Sequence, residues 1–284
     1  MKRTVVASIL ILCVAYLTSC MKGVDEVEKQ QENEKQIKEY LTANGLIPSK
    51  DTLGMYAMME SFNPGARKLT LGDSVSVNYE IFRLDGTKVT GSESGKPLVF
   101  LHGYAPIYAM DFVATWMRVG EKVTVLAPYY LAFGSGGSSD GKVPAYSPIR
   151  LVMEIVHTKS ENDQIVEYIA KNKLTVDYTT PENIRIVRLN QVTGDTLGMG
   201  KQITVAYKGY LLSGKKFDEG AFNHLTGSNQ VIKGFDKGLR NMRPGEKAWI
   251  IFPSAQGYGA YGTEDRRIPA FAPLAFEVEI TKAN

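Results

Sequence analysis

The sequence predicts an α+β chain made of two similar halves, each a short helix followed by a module with an antiparallel sheet. The first observation is a repeat on the scale of a whole domain. Ile37 and Ile165 lie 128 residues apart (165 − 37), and Tyr40/Tyr168, Gly72/Gly200 and Tyr79/Tyr207 keep that offset. Further along it falls to 125 (242 − 117), relating Met117 to Met242, Gly120 to Gly245 and Phe133 to Tyr258. A period this long marks a repeated domain and not a short solenoid unit. The second observation is strict alternation in Ser74–Tyr79 (SVSVNY) and Gln202–Tyr207 (QITVAY), the period of a half-buried strand. The third is an i, i+3, i+4 apolar stripe at the head of each half, Ile37-Tyr40-Leu41 and Ile165-Tyr168-Ile169, which predicts helices over 34–43 and 161–172. Helices so short are unstable alone, so each is expected to pack on its own module or on a partner.

The elements follow in chain order. Lys2-Arg3, an apolar run from Val5 to Leu17 and then Leu17-Thr18-Ser19-Cys20 have the order of a secretory signal, residues 1–19. The apolar run is short for a membrane span. Its ending resembles a bacterial lipobox, which makes Cys20 the lipid-bearing first residue after cleavage. The expected location is therefore the cell envelope, lipid-anchored to a membrane, with the folded part periplasmic or surface-exposed. The only other cysteine, Cys13, falls inside the signal, so no disulfide is expected beyond it. Residues 21–33 are polar and acid-rich and read as a flexible tether, so 20–54 holds lipid attachment, tether and first helix. The first module is assigned to 55–159, a linker helix to 160–175 and the second module to 176–284. Thr179-Thr180-Pro181-Glu182 breaks the helical pattern near that last boundary.

Composition narrows the function. The net charge is +3, and Lys2 and Arg3 supply two of those charges, so nothing points to nucleic acid. His102, His157 and His224 are scattered, with no second ligand at metal spacing, and neither a metal nor a cofactor is expected.

The stretch from Val205 to Phe276 carries the chemistry. In order it presents Tyr207, Phe217-Asp218, Phe222, Val231-Ile232, Phe235, Tyr258, Ile268-Pro269 and Phe276, within VAYKGYLLSGKKFD, QVIKGFDKGLRNMRPGEKAWIIFP, GYGAYG and RIPAFAPLAFEVEI. Taken singly, each aromatic is most simply core, and Asp218 beside Lys215 and Lys216 a solvated strand-end carboxylate. Leu239 and Met242, spaced at i+4 and i+7 from Phe235, belong to a helix's buried face, while Phe235 at its start is open to either orientation. Tyr258, between glycines, suits an exposed position on a bent loop. As an ordered set over about 85 residues, these patterns resemble the FK506-binding-protein (FKBP) type of peptidyl-prolyl isomerase, and among its members the membrane-anchored ones of Gram-negative bacteria.

The resemblance implies two FKBP-like domains, each an antiparallel sheet wrapped around a short helix. It implies that Asp218, Tyr258 and Tyr207 are the polar catalytic group, with Asp218 bonded to the Tyr207 hydroxyl. Phe217, Phe222, Val231, Ile232, Phe235, Ile268 and Phe276 would bind substrate. The implied partners are proline-containing segments of unfolded exported proteins, and FK506- or rapamycin-like macrocycles. The chemistry fits an apolar ring of this kind. Rotation about a prolyl bond faces a barrier of about 18–20 kcal/mol from amide resonance, and it needs no nucleophile or metal. The twisted amide is less dipolar than the planar one, so a dry aromatic pocket favours it over the ground state.

The first copy keeps Tyr79, Ile107 and Val143-Pro144 opposite Tyr207, Ile232 and Ile268-Pro269, but the rest has changed. Val89 stands for Phe217, Thr90 for Asp218, Met110 for Phe235, Phe133 for Tyr258 and Leu151 for Phe276. Volume and pattern are roughly kept, so the sheet should survive while the chemistry is lost. This copy is expected to be degenerate, a peptide-docking or spacer module. Its Gly134–Gly141 run lacks the ending of a phosphate loop and is expected to be a floppy loop. The second copy departs from its family in a three-residue loop, Glu219–Ala221, and in Phe235 and His224. The competing function is a non-catalytic peptide-binding chaperone or structural envelope component on the same fold.

Overall fold

The computed structural model describes residues 25–284. The signal-like segment, Cys20 and the start of the expected tether lie outside the described residues. The first half runs α1 (Glu26–Ala43), β1 (Lys50–Thr52), β2 (Met55–Met59), β3 (Ser74–Arg83), β4 (Lys88–Gly91), β5 (Leu98–Leu101), α2 (Tyr108–Ala114), β6 (Lys122–Ala127) and β7 (Ile149–Lys159). The second runs α3 (Glu161–Lys171), β8 (Tyr178–Thr179), β9 (Arg185–Arg188), β10 (Gln202–Leu211), β11 (Lys216–Leu225), α4 (Lys233–Arg240), β12 (Lys247–Phe252) and β13 (Leu274–Ala283).

All pairings are antiparallel. One sheet has the order β1-β2-β6-β7-β3-β4 with β5 also on β3, and the other β11-β10-β13-β12-β9-β8. The two orders superpose strand for strand, with β4 and β5 together standing where the single β11 stands. The expected loop at Glu219–Ala221 is therefore absent: these residues pair with Tyr207, Lys208 and Ala206 inside an unbroken β11. The first sheet also begins at Lys50, ahead of the expected boundary at 55.

Period-2 alternation gives each sheet two buried faces. Along β12, Ala248, Ile250 and Phe252 join the core beneath α4, while Trp249 and Ile251 face α3. Along β6, Val123, Val125 and Ala127 pack under α2 and Leu126 meets α1. The apolar stripes of the leading helices account for this second layer. Ile37 and Leu41 pack on Tyr56 and Leu126; Ile165 and Tyr168 pack on Ile251 and Ala275.

Helix α1 reaches back to Glu26, well into the stretch read from sequence as tether. Asp25 caps it by accepting from the Val27 and Glu28 amides, and the decisive contacts are tertiary. Asn33, 1% exposed, accepts from the Tyr129 amide at 2.9 Å and donates to the Tyr146 carbonyl at 2.8 Å. Composition says solvated tether, but one amide side chain satisfying buried backbone groups outweighs it. The second half repeats the device. Glu161, aligned with Asn33, accepts from the Ser254 amide at 2.6 Å and from its hydroxyl at 2.7 Å.

The Gly134–Gly141 loop is also not floppy. Gly137 (φ +76) lies so close to Val143 that a Cβ would stand 2.2 Å from its carbonyl oxygen. The Ser138 hydroxyl accepts from the Val143 amide, and the Ser138 amide donates to the Val143 carbonyl. Glycine composition raises chain entropy in the unfolded state, but here it admits a closed turn that a side chain would block.

Candidate active site

The second module opens a cleft of about 430 Å³ between β10, β11, β13, the start of α4 and the loop after β12. Tyr207, Phe217, Asp218, Phe222, Val231, Ile232, Phe235, Tyr258 and Phe276 all line it. Ile268 does not. It is 3% exposed within the adjoining core, closing the loop by exchanging hydrogen bonds with Thr263. Two lining residues went unnoticed in the sequence, Asn229 and Gln230. Asn229 has φ +57, and an asparagine, a residue that tolerates the left-handed region, is the only signal in the sequence for such a corner.

Phe276, on β13, is the hub. Its ring lies 4.9 Å from that of Phe235, 5.5 Å from Phe217 and 5.7 Å from Phe252, the first two edge-on. Tyr207 meets Phe222 and Phe235 edge-on at 5.7 Å each. Edge-to-face pairs at these separations add about 0.5–1.5 kcal/mol each beyond area burial, which favours the assembled wall. Phe235 is 3% exposed, which resolves its orientation: it is the floor of the cleft.

Helix α4 is short, has no side-chain cap and carries two glycines, each of which weakens a helix by roughly 1 kcal/mol. Close approach to β12 requires them. A Cβ on Gly238 would stand 2.3 Å from Ile250 Cγ2, and one on Gly234 2.6 Å from the Phe252 ring. Asp236 then ties the helix to β11: its Oδ1 lies 2.8 Å from His224 Nε2 and accepts from the Gly227 amide at 2.8 Å. The first module reaches the same end from another position, with His102 Nδ1 2.9 Å from Asp111 Oδ1. These histidines, read from sequence only as non-ligands, are structural pins.

The polar group sits at the rim. The Tyr207 hydroxyl donates to Asp218 Oδ2 at 2.7 Å, as the resemblance implied. Burial, then the bond to Asp218 and its charge, push the Tyr207 phenol up to about 12. Burial and then the Asp218 charge also raise Tyr258, which is 38% exposed with its edge to solvent. Both phenols thus stay protonated donors at neutral pH. The stability supplied by the Tyr207–Asp218 bond is present below the unfolded phenol value of about 10 and fades as pH rises toward 12. A stability difference between wild type and Tyr207→Phe that stays constant from about pH 8 to about pH 12 would contradict this.

In the first module the equivalent positions are filled by core side chains. Met110 is 1% exposed, Leu151 0% and Ile107 8%, and all belong to one continuous core with Val89. Thr90 is exposed on β4, with no carboxylate to meet Tyr79. The counterpart of Gly209 is Ile81, 2% exposed, whose side chain occupies space that the second module leaves to the Phe217 and Phe276 rings. Among the described residues no cluster of three or more potential metal ligands occurs.

A family pattern matches within each module. The pattern of the family described as FKBP-type peptidyl-prolyl cis-trans isomerase matches residues 65–156 and 194–281. The human protein named peptidyl-prolyl cis-trans isomerase FKBP9 is 28% identical over 217 residues, 74% of this chain and 34% of that protein. The chain thus spans about a third of the length of the FKBP9 relatives it matches. The FK506-binding protein of Neisseria meningitidis serogroup B is 47% identical over 88 residues, 29% of this chain and 80% of that one. Among solved structures, the three FKBP domains of wheat FKBP73 align with a TM-score of 0.41 at 23% identity, covering 81% of this chain and 94% of that one. The two matched regions take in more than half of the sequence, one in each module, and the chain belongs to the FKBP-type peptidyl-prolyl cis-trans isomerase family.

Proposed function

We propose that the second module is a peptidyl-prolyl cis-trans isomerase acting on proline-containing segments of unfolded exported proteins, and that its site is the cleft around Phe276. The observation that carries this reading is the conjunction of a preformed aromatic wall with two protonated phenols and a carboxylate at its rim. The prolyl ring enters the dry pocket over Phe235. Desolvation there favours the twisted amide, whose dipole is smaller, and Tyr258 donates to the adjoining carbonyl as orientation demands. Asp218 fixes the Tyr207 ring, which forms part of the wall. A gain of roughly 5 kcal/mol on the twisted state corresponds to between 10³ and 10⁴ in rate. Phe217, Phe222, Val231 and Ile232 surround the substrate, and macrocycles of the FK506 type are ligands for the same surface.

Tyr258→Phe and Asp218→Val are expected each to lower kcat/KM by about 5- to 150-fold, the worth of one hydrogen bond of about 1–3 kcal/mol, without unfolding the module. Unchanged kinetics in both variants would reject these roles. The collapsed pocket of the first module supports the non-catalytic reading for that half alone, as a spacer or docking body.

We place the protein at the cell envelope, anchored through lipid on Cys20, on the strength of Leu17-Thr18-Ser19-Cys20. Cys20→Ala is expected to move the protein from the membrane fraction to the soluble one; a variant that stays membrane-bound would refute the anchor.

A further inference from the structure

The loop from Gly257 to Ala272 carries Tyr258 into the wall of the cleft and reaches out into solvent, with Tyr261 91% exposed. A loop with so little burial needs something to hold it. On one side α3 does so through Glu161 and Ser254, whose carbonyl accepts from the Gly257 and Gly259 amides at 2.8 Å each. On the other side Ile268 and Ala272 pack in the second module's core and Arg267 donates to the Phe217 carbonyl at 3.4 Å, while the stretch from Tyr258 to Gly262 and the Phe271 ring lie outside that core. Phe271, at its far end, has φ +51, a conformation that a bulky side chain rarely adopts. This turns its ring away from the second module's core and onto the first module. A Cβ on Gly72 would stand 2.6 Å from Phe271 Cδ1, and one on Gly103 3.9 Å from Cε2. The Tyr104 ring meets Phe271 edge-on at 6.3 Å, and its hydroxyl donates to the Ala260 carbonyl at 2.8 Å.

We propose that the first module is a positioning clamp for the catalytic loop, with Phe271 as its plug and Gly72, Gly103 and Tyr104 as its socket. This rests on the reading of the cleft as an isomerase site. The link to Tyr258 is short. Tyr104 of the first module holds Ala260 directly, and the seated Phe271 holds Gly259 through its amide, which donates to the Gly259 carbonyl at 2.9 Å. The first module's own loop shows what the device is for. Tyr146, aligned with Phe271, has φ +54 and packs against Tyr129 at 5.0 Å, while its carbonyl accepts from Asn33 of α1. In each half the same left-handed aromatic is seized by the structure that precedes it in the chain. In the first half that is a helix; in the second it is a whole module. Degeneration of the first pocket is then no loss, because the surface kept for work is the Gly72–Gly103 socket.

A clamp of this kind acts on the fraction of molecules with the loop in place. Apparent substrate affinity falls in proportion to that fraction, while turnover at saturation is kept. Tyr104 and Phe271 are thus distinguishable from Tyr258, whose loss lowers kcat. The test uses the full chain with Phe271→Ala and Tyr104→Phe, the latter removing only a hydroxyl, with circular dichroism to confirm folding. Amide hydrogen exchange at Gly259 and Thr263 is expected to accelerate about tenfold in Phe271→Ala and less in Tyr104→Phe, with β10 and β13 unchanged. KM for a proline peptide should rise about fivefold in Phe271→Ala with kcat within about twofold of wild type. Loop exchange unchanged in both folded variants would overturn the clamp, as would faster exchange with KM unmoved. A wild-type chain that does not isomerise the peptide would sink the functional reading alone, since loop exchange still decides the contact.

Discussion

Replacing Gly209 by isoleucine is expected to close the cleft and abolish isomerase activity while leaving a folded module. Gly209 lies on β10 directly beneath the aromatic wall. A Cβ there would stand 2.6 Å from Phe217 Cζ and 2.9 Å from Phe276 Cε1, nearer than real contacts allow. Both rings must move outward, and the site loses its pocket. The first module is the natural form of this variant, with Ile81 buried at that place and valine and leucine where the rings would be. Overpacking of this sort costs about 1–3 kcal/mol, which an intact sheet tolerates. Activity should fare worse, with at least about a 100-fold loss in kcat/KM, because both the wall and the desolvation it provides are gone. A peptide assay paired with a thermal melt checks both halves of the expectation. A folded Gly209→Ile protein with near-normal kinetics would mean that the wall is not where catalysis occurs.

The second large effect is the division of labour between modules. Fragment 160–284 should isomerise proline peptides, and fragment 25–159 should be essentially inactive. These limits leave each module its own helix, since Asn33 and Glu161 satisfy buried backbone groups across the helix–module boundary. The contrast is physical: an aromatic cleft with Tyr207–Asp218 and Tyr258 on one side, a filled core with Thr90 and Phe133 on the other. Within the active fragment, Phe217→Ala should cost more than either polar substitution, and about 3–5 kcal/mol of stability if its loss also opens the core. Comparable activity in both fragments would overturn this assignment. The fragment 160–284 lacks the clamp from the first module, so its KM should exceed that of the full chain.

Much of this was legible in the sequence because the repeat and the strand alternation are local and periodic. The strands and the leading helices follow from patterns within a few residues, while the antiparallel sheet wrapped around a short helix came with the family resemblance. The aromatic set was legible as an ordered set and not residue by residue. What escaped were long-range polar contacts. The tether that proved to be the first turns of α1 is held by Asn33 reaching Tyr129 and Tyr146. The pins His224–Asp236 and His102–Asp111 share aligned aspartates, 125 residues apart (236 − 111), but their histidines fall at different alignment positions, so the repeat does not disclose the pairing. The glycine-rich loop was misjudged because composition does not say which carbonyl will press on Gly137. The resemblance puts Ile268 in the substrate-binding set, and a pattern of motifs does not show that the closed loop buries it in the core.

The central claim is that the cleft around Phe276 catalyses rotation about prolyl bonds. Exchange spectroscopy on a proline peptide with the full chain measures that rotation directly, without a coupling protease. Wild type should accelerate cis–trans exchange by about 10³- to 10⁴-fold over the peptide alone, and Gly209→Ile should return it nearly to the uncatalysed rate of tens to hundreds of seconds. No acceleration by the wild-type chain, or acceleration that survives Gly209→Ile, would contradict it.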